Sequence, residues 1–138
     1  MHISQYIHRL MKERRLKLNR DIEKKVTYHD PCHLGRHTGI FSAPRNVLKS
    51  IKGIKFVEMP RNKNNSRCCG AGGGFKIAFN EKATLIGSKR VREAIDTGAD
   101  EIITTCPFCK TNLLDGSIGL NKELKTYDLV ELLYEAIK

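Results

Sequence analysis

The spacing of apolar residues along the chain predicts helices that alternate with short strands. Ile3, Ile7, Leu10 and Met11 recur every three or four residues, which predicts an amphipathic helix over about the first 16 residues. No capping residue is evident before this helix. Its apolar stripe is expected to need a surface to cover. The β-branched and aromatic run from Val26 to His29 predicts a first strand.

A helix and a second strand are predicted next. Ser42 is a candidate N-cap, Pro44 fits the first turn and Gly53 ends the helix. The run from Ile54 to Met59 predicts the second strand, which Pro60 stops. The buried face of the helix is expected to hold Val47, Leu48 and Ile51.

The second half of the chain repeats the alternation. Asn80 is a candidate cap for a helix that runs to about Thr97 and has Leu85, Ser88, Val91 and Ile95 on one face. Glu101 to Thr105 predicts a third strand, and Pro107 starts a short helix. Asp128 and Glu131 form a capping-box pattern before a last helix. That helix is expected to bury Leu129, Leu132, Leu133, Ala136 and Ile137.

This alternation predicts a small three-layer α/β domain with a mainly parallel sheet of about three or four strands and right-handed crossovers. Ligands of such sheets collect at the carboxyl ends of the strands. We expect residues 1–25 to form a basic amphipathic helix and hinge, and residues 26–138 to form the domain itself.

Composition narrows the class of protein. A chain of 138 residues, 40% hydrophobic and 29% charged, is enough for one globular domain. It shows neither a signal-peptide pattern nor an apolar run of membrane-spanning length. Five cysteines, an odd number, argue against a closed disulfide framework and favour metal or redox chemistry in a reducing compartment. A cytoplasmic location is therefore expected.

The net charge of +10 is concentrated at the N-terminus, where residues 1–25 hold eight basic and three acidic residues. Such a segment is compatible with a solvated helix face, an acidic protein partner or a nucleic acid. Aromatic residues are not interleaved with these charges, so a stacking platform for nucleic acid is not supported. We expect no nucleic-acid partner.

The cysteines show the most specific pattern in the chain. Cys32 is separated from the adjacent pair Cys68 and Cys69 by 35 residues, and a further 36 residues separate that pair from Cys106, with Cys109 following in Cys-Pro-Phe-Cys. Each cysteine or pair comes after a predicted strand or its loop. We therefore expect all five at one site.

The glycines after the cysteine pair support a special backbone at this site. Adjacent side chains of extended backbone point to opposite sides, so two neighbouring cysteines reach one centre only if the chain turns sharply. Gly70, Gly72 and Gly73 allow such a turn and let the backbone approach a bulky group. We expect these glycines to contribute to cofactor binding.

Thiolates bind both zinc and iron–sulfur clusters. A closed zinc site takes four ligands and leaves one cysteine over, whereas an iron–sulfur cluster accommodates five. Two zinc alternatives stay open: a structural domain that holds a partner subunit, and a basic module that binds nucleic acid. Two further alternatives are less favoured. A thioredoxin-type dithiol normally follows the first strand of its fold, whereas Cys106 and Cys109 lie near the end of the chain. A dinucleotide loop normally follows a strand, whereas the glycine run follows the cysteine pair.

Other polar residues surround the cysteines in sequence. His29, His33 and His37 are spaced by four, but Pro31 interrupts any helix there, so we interpret the regularity as accidental. His33, beside Cys32, is the candidate proton donor, and Asp30 is expected to anchor the turn through backbone amides. Four basic side chains are candidates to offset thiolate charge: Arg36, Arg67, Lys76 and Lys110.

Three segments together carry a family resemblance: His29-Asp30-Pro31-Cys32-His33-Leu34-Gly35, Cys68-Cys69-Gly70-Ala71-Gly72-Gly73-Gly74 and Cys106-Pro107-Phe108-Cys109. From about Val26 to Leu114 the chain resembles the cysteine-rich CCG domain of the heterodisulfide reductase catalytic subunit. Relatives of that subunit include iron–sulfur subunits of complexes that oxidise glycolate, lactate and glycerol-3-phosphate.

The resemblance implies that Cys32, Cys68, Cys69, Cys106 and Cys109 bind a [4Fe–4S] cluster of the non-cubane type, although some relatives hold zinc. It implies electron relay, or disulfide reduction by one-electron steps. Partners would be a second CCG domain or a ferredoxin-like or flavin subunit, with a thiol or disulfide substrate, and membrane contact would come only through a partner.

The chain departs from the family in having one CCG motif where catalytic subunits have two, and no ferredoxin-like run of cysteines. We therefore expect it to be the C-terminal part of a longer subunit, or to act beside a companion. It is expected to be a component of an oxidoreductase that is not complete alone.

Overall fold

The computed structural model describes residues 1–122 and 124–138. Helices and strands alternate along these residues. In chain order they are α1 (Ile3–Lys12), β1 (Lys24–Tyr28), α2 (Ser42–Ser50), β2 (Ile54–Val57), α3 (Phe75–Ala78), α4 (Asn80–Asp96), β3 (Glu101–Thr104), α5 (Pro107–Ile118), β4 (Lys125–Asp128) and α6 (Leu129–Ile137).

The four strands form one sheet in the order β2-β1-β3-β4, and every neighbouring pair is parallel. Tyr28 pairs with Ile103, and Ile103 pairs with Tyr127. The predicted α/β class with a parallel sheet is confirmed. The sequence pattern does not locate β4, because its residues Lys-Thr-Tyr-Asp lack the run of apolar side chains that marks the other strands.

Helices cover both faces of the sheet. On one face Val26, Tyr28 and Ile103 pack against residues of α1, α2 and α6. On the other face Ile102 packs with residues of α4 and α5. Because successive strand residues point to opposite faces, Ile102 and Ile103 belong to the two different clusters. The result is the three-layer arrangement that was predicted.

The first helix differs from its prediction in both its start and its end. His2 accepts a hydrogen bond from the Ser4 amide, and the Gln5 side chain accepts one from the His2 amide, so the helix begins with a capping box. The expectation of an uncapped start is wrong. The helix ends at Lys12, just before Arg14 adopts a positive φ of 55°.

The apolar stripe of α1 is partly covered within the chain. Ile7 is 5% exposed and belongs to the same core cluster as Val26 and Val47, whereas Ile3 and Tyr6 remain exposed. The stripe therefore packs on the domain, mainly along α2. The division of the chain at residue 25 stays a prediction, although β1 begins at Lys24.

The helix α4 buries Ser88 and Val91 of its predicted face, but Leu85, which was expected on the same face, is 64% exposed. Its buried side includes Gly87 and Val91. A Cβ added at Gly87 would lie 2.7 Å from the Asn112 carbonyl oxygen, and one added at Gly116 would lie 2.7 Å from the Gly87 backbone. The backbones of α4 and α5 thus touch, which turns Leu85 outward.

The remaining helix predictions hold with small corrections. The N-caps of α2 and α4 are Phe41 and Phe79 rather than the polar residues that follow them. The helix α5 has Pro107 at its first position, as predicted, but extends over 12 residues. The capping box of Asp128 and Glu131 starts α6 as predicted. The residues that were expected to be buried in α6 are all buried except Ile137, which is half-buried.

Among the described residues, none of the helices has the length and apolar character that a bilayer crossing requires.

A buried ion pair fixes the segment between β1 and the first cysteine. Arg45 Nη1 and Nη2 donate to the two carboxylate oxygens of Asp30 at 2.7 and 2.8 Å, and Arg45 Nε donates to Glu58 at 2.6 Å. The amide of Lys63 donates to Asp30 Oδ2 at 2.8 Å, which confirms that Asp30 accepts from backbone. Removing one partner would leave an uncompensated buried charge.

We expect Arg45→Met to lower the free energy of unfolding by about 3–5 kcal/mol, because the Asp30 carboxylate would stay buried without its counter-charge. The matched control is Lys52→Met, which breaks the exposed pair of Lys52 and Asp21 and should cost no more than about 1 kcal/mol. Urea denaturation of both variants measures the difference. Equal losses would contradict this view of the pair.

Candidate metal centre

The five cysteines lie at the carboxyl ends of β1, β2 and β3. Cys32 follows β1, the pair of Cys68 and Cys69 lies in the loop after β2, and Cys106 and Cys109 follow β3. Because the strands are parallel, their carboxyl ends share one edge of the sheet. Three segments that are far apart in sequence are thereby brought together.

All five cysteines line one cavity of about 680 Å³. Cys69 and Cys109 are buried, Cys32 and Cys106 are half-buried, and Cys68 is exposed. The cavity wall also includes Met1, His2 and Gln5 from the N-terminal segment, a contribution that the sequence pattern did not predict. Other wall residues include Leu34, Ile40, Ile77 and Phe108.

A sharp turn brings the adjacent cysteines to the same cavity. Gly70 has a φ of 90°, in the left-handed region, and its amide donates to Cys68 Sγ at 3.4 Å. The amide of Ala71 donates to Cys69 Sγ at 3.5 Å. The Asn112 side chain donates to the Cys69 carbonyl from α5. Backbone amides of this turn therefore donate to both sulfurs.

The predicted glycines divide into two roles. A Cβ at Gly70 would lie 2.8 Å from Ile86, so Gly70 packs tightly against α4, and it is not among the residues that line the cavity. Gly72 and Gly73 do line the cavity, and a Cβ at either would meet no atom within 4 Å. Their contribution to cofactor binding stays a prediction.

Cys106 occupies the N-cap of α5. The side chain of Cys109 donates a hydrogen bond to the Cys106 sulfur and, against the opposing effect of burial, lowers the pKa of Cys106 to about 6, with help from the backbone amides of Cys109 and Phe108. A thiol at a helix N-terminus is typically acidified in this way. Cys106 is therefore largely a thiolate at neutral pH in the metal-free chain.

The other thiols share protons in a network. Hydrogen bonds from Cys109 and Cys68 lower the pKa of Cys69 far below the ordinary thiol range, with burial opposing and His29 assisting. The pKa of Cys109 is raised by its hydrogen bonds to Cys106 and Cys69, and that of Cys68 by its bond to Cys69. Negative charge is thus favoured on Cys69 and Cys106, which share the single proton of Cys109, while Cys68 retains its own.

His33 and His37 lie in a π-helical turn, His33–His37, that directly follows Cys32. Their rings are 5.1 Å apart and edge to face, so the spacing of these two residues is structural and our interpretation of it as accidental is wrong for them. His33 is exposed and lines the cavity. Its role as a proton donor stays a prediction.

The basic residues near the cysteines are engaged mainly with carboxylates. Arg67 pairs with Glu93 at 2.9 Å, Lys76 with Asp115 at 2.6 Å and Lys110 with Glu131 at 2.7 Å. Arg36 is exposed. Their charge is therefore offset largely by acidic side chains, which limits what they contribute at the thiolates.

The sequence pattern missed a buried histidine at the site. A ring nitrogen of His29 and the sulfurs of Cys69 and Cys109 all lie within 4.8 Å of one another. His29 is 1% exposed, and its Nδ1 accepts from Nε of the fully buried Arg90 at 3.1 Å. Burial lowers the pKa of His29. The available signal was its position at the end of a buried strand, three residues before Cys32.

This fold and site define a parallel α/β domain with a thiol-lined cavity at the carboxyl edge of its sheet. Residues 26–114 match the family described as the CCG cysteine-rich domain. The chain belongs to that family.

Curated relatives agree with this assignment. The chain is 48% identical over 137 residues to one subunit of the dihydromethanophenazine:CoB–CoM heterodisulfide reductase of Methanosarcina barkeri, covering 99% of this chain and 34% of that relative. It is 36% identical to a probable iron-sulfur-binding oxidoreductase of Bacillus subtilis and to the EtfAB:quinone oxidoreductase of Syntrophomonas wolfei, covering 99% of this chain and 20% of each. The chain thus spans about a third or less of these relatives.

We expect Gly70→Ala to destabilise the metal-free chain by at least about 1–2 kcal/mol, because alanine is strained at this φ and its Cβ would meet Ile86. Gly72→Ala is the matched control in the same loop, where φ is not in the left-handed region and the added Cβ has open space. Urea denaturation compares the two. A Gly72→Ala variant as unstable as Gly70→Ala would contradict this division of roles.

Alkylation of the metal-free chain by iodoacetamide should separate Cys106 from Cys109. A pKa of about 6 predicts that the Cys106 rate rises about tenfold between about pH 5 and pH 7 as the thiolate forms. Cys109 should stay slow because its pKa is raised and it is buried. Peptide mass spectrometry follows each residue, and a Cys106 rate that rises only above about pH 8 would refute the prediction.

Proposed function

We propose that this chain is an iron–sulfur electron-transfer domain of a heterodisulfide-reductase-like oxidoreductase. The observation that carries the proposal is that all five cysteines line one cavity. One tetrahedral zinc takes four ligands, so five convergent thiols exceed its requirement. Cys32, Cys68, Cys69, Cys106 and Cys109 are the proposed ligands of a [4Fe–4S] cluster, with the non-cubane form as the finer hypothesis.

The residues of the site fit such a group. A cavity of about 680 Å³ exceeds the space that a single ion needs, and Gly72 and Gly73 leave part of its wall without side chains. The amides of Gly70 and Ala71 already point at two sulfurs, and hydrogen bonds to sulfur are a recognised feature of cluster sites.

The chain prepares the site for its ligand. The hydrogen-bond network favours negative charge on Cys69 and Cys106, and cysteines bind a metal as thiolates. Leu34 is buried beside Cys32 and helps to exclude water from that wall. A bound iron–sulfur cluster supplies reversible one-electron transfer. His33 stands at the rim as the proposed proton donor.

Relatives named as part of a heterodisulfide reductase and as a quinone oxidoreductase support a role within a larger redox assembly. We propose that the chain works with a second CCG domain or a ferredoxin-like or flavin subunit, as the C-terminal part of a longer subunit or beside a companion. The substrate class is a thiol or disulfide, or an electron acceptor. A cytoplasmic location, with membrane contact only through a partner, completes the proposal.

A structural zinc site that holds a partner subunit is the second candidate. The observation in its favour is that His29, Cys69 and Cys109 place three possible ligand atoms within 4.8 Å of one another. This candidate leaves at least two cysteines to explain, and it predicts a colourless protein.

Anaerobic purification followed by metal and sulfide analysis distinguishes the two candidates. We expect about four irons and four acid-labile sulfides per chain with broad brown absorbance that bleaches on reduction, as is typical of a [4Fe–4S] cluster. One zinc per chain, without sulfide or colour, would establish the zinc candidate instead. The test uses the chain as it is, because all five proposed ligands are present in it.

Cysteine substitution tests the ligand set. Cys32→Ser should reduce bound iron at least several-fold while the far-UV circular dichroism stays native, because the core clusters do not include Cys32. Thr38→Ser is the control, since Thr38 lines the same cavity and its hydroxyl bond to the Leu34 carbonyl would be retained. Wholesale unfolding of Cys32→Ser would favour structural zinc.

A further inference from the structure

We propose that His29 is a positioning residue that donates its Nε2–H to the Cys69 sulfur and is not itself a metal ligand, and that Arg90 imposes this arrangement. The proposal concerns a residue that the cysteine motif does not include. Its consequence for a bound cluster rests on the proposed function, whereas the hydrogen bond itself is a property of the folded chain.

Arg90 determines which ring nitrogen of His29 carries the proton. Arg90 is fully buried, and its Nε lies 3.1 Å from His29 Nδ1. A guanidinium only donates hydrogen bonds, so Nδ1 must accept and must be unprotonated. The guanidinium is itself held by the Glu93 carboxylate at 2.6 Å, the Arg61 carbonyl at 2.7 Å and the Ser66 hydroxyl at 3.1 Å.

The single proton of the neutral ring is therefore on Nε2. A ring whose Nδ1 accepts a hydrogen bond has only one proton and is neutral. Within the described chain Nε2 is buried and makes no hydrogen bond of standard geometry, so its proton needs an acceptor nearby. Because Arg90 engages Nδ1, Nε2 is the ring nitrogen left to face the sulfurs of Cys69 and Cys109.

Cys69 is the proposed acceptor, because its sulfur lies within 4.8 Å of the ring nitrogen and its side chain interacts with that of His29. The thiols of Cys68 and Cys109 lie in hydrogen-bond contact with Cys69. His29 Nε2–H adds a donor from the β1 side, whereas the Ala71 amide approaches from the glycine loop. The Cys69 sulfur is thus surrounded by donors.

Two consequences follow from the tautomer. Metal ligation by His29 would need a bare Nε2 and hence a proton on Nδ1, which faces Arg90, so the geometry disfavours a site made of His29, Cys69 and Cys109. A donor to a ligating thiolate withdraws charge from it and raises the reduction potential of the cluster. His29 therefore adjusts the potential without contacting iron.

Two variants at one position test the proposal in the reconstituted chain. His29→Gln keeps an N–H donor near the place of Nε2, whereas His29→Leu removes it. We expect unchanged iron and sulfide content in both, a midpoint potential near wild type for His29→Gln, and a more negative potential for His29→Leu. Equal potentials in all three proteins, or iron loss in both variants, would overturn the proposal.

A measurement on the unmodified chain covers the case in which a variant fails to fold or the chain assembles no cluster. Nitrogen-15 NMR of the histidine rings in the metal-free protein identifies the protonated nitrogen. We expect Nε2–H for His29, and an Nδ1–H ring would refute the hydrogen bond. A chain that takes up no iron and still shows the Nε2–H ring would refute only the proposed function.

Discussion

Parallel pairing of β1 with β2 and β3 is the constraint on which the site depends. Parallel strands send all their carboxyl ends to one edge of the sheet, and the loops that leave this edge carry the cysteines. An antiparallel neighbour would have sent one of these loops to the opposite edge. The pairing of Val26 with Phe56 and Glu101 sets the relative positions of the three strands. It therefore determines where the loops that carry Cys32, Cys68 and Cys106 begin.

The strand ends alone do not hold the loops in place. Buried polar contacts fix the conformation of the loops. The pair of Arg45 and Asp30 ties the end of β1 to α2 and to the loop at Lys63. Asn112 on α5 donates to the Cys69 carbonyl and to the Ala83 carbonyl of α4, and the close contact between Gly87 and Gly116 holds α4 against α5. The loops are thus fixed by groups whose loss would leave buried charges or amides unpaired.

The electrostatic design concentrates negative charge on Cys69 and Cys106 and surrounds it with neutral donors. Arg67, Lys76 and Lys110 are paired with carboxylates, so the Ala71 amide, the neighbouring thiols and His29 stabilise the Cys69 thiolate instead. Fixed dipoles of this kind need no counter-ion that would occupy the cavity. This leaves room for a cofactor with several thiolate ligands.

The sequence by itself determined the α/β class, three of the strands and the convergence of five cysteines, because hydrophobic period and strand-end position are local properties. It did not determine which side of a helix meets a neighbour: Leu85 matches the period but faces solvent, since α5 contacts α4 at Gly87. Nor did it separate Gly70, which packs against Ile86, from Gly72 at the cavity. His29 belongs to the site only because β1 and α4 place it between Arg90 and Cys69. Such contacts join residues 16 to 61 positions apart, and only the packed structure decides them because no local pattern encodes the distance between separate elements.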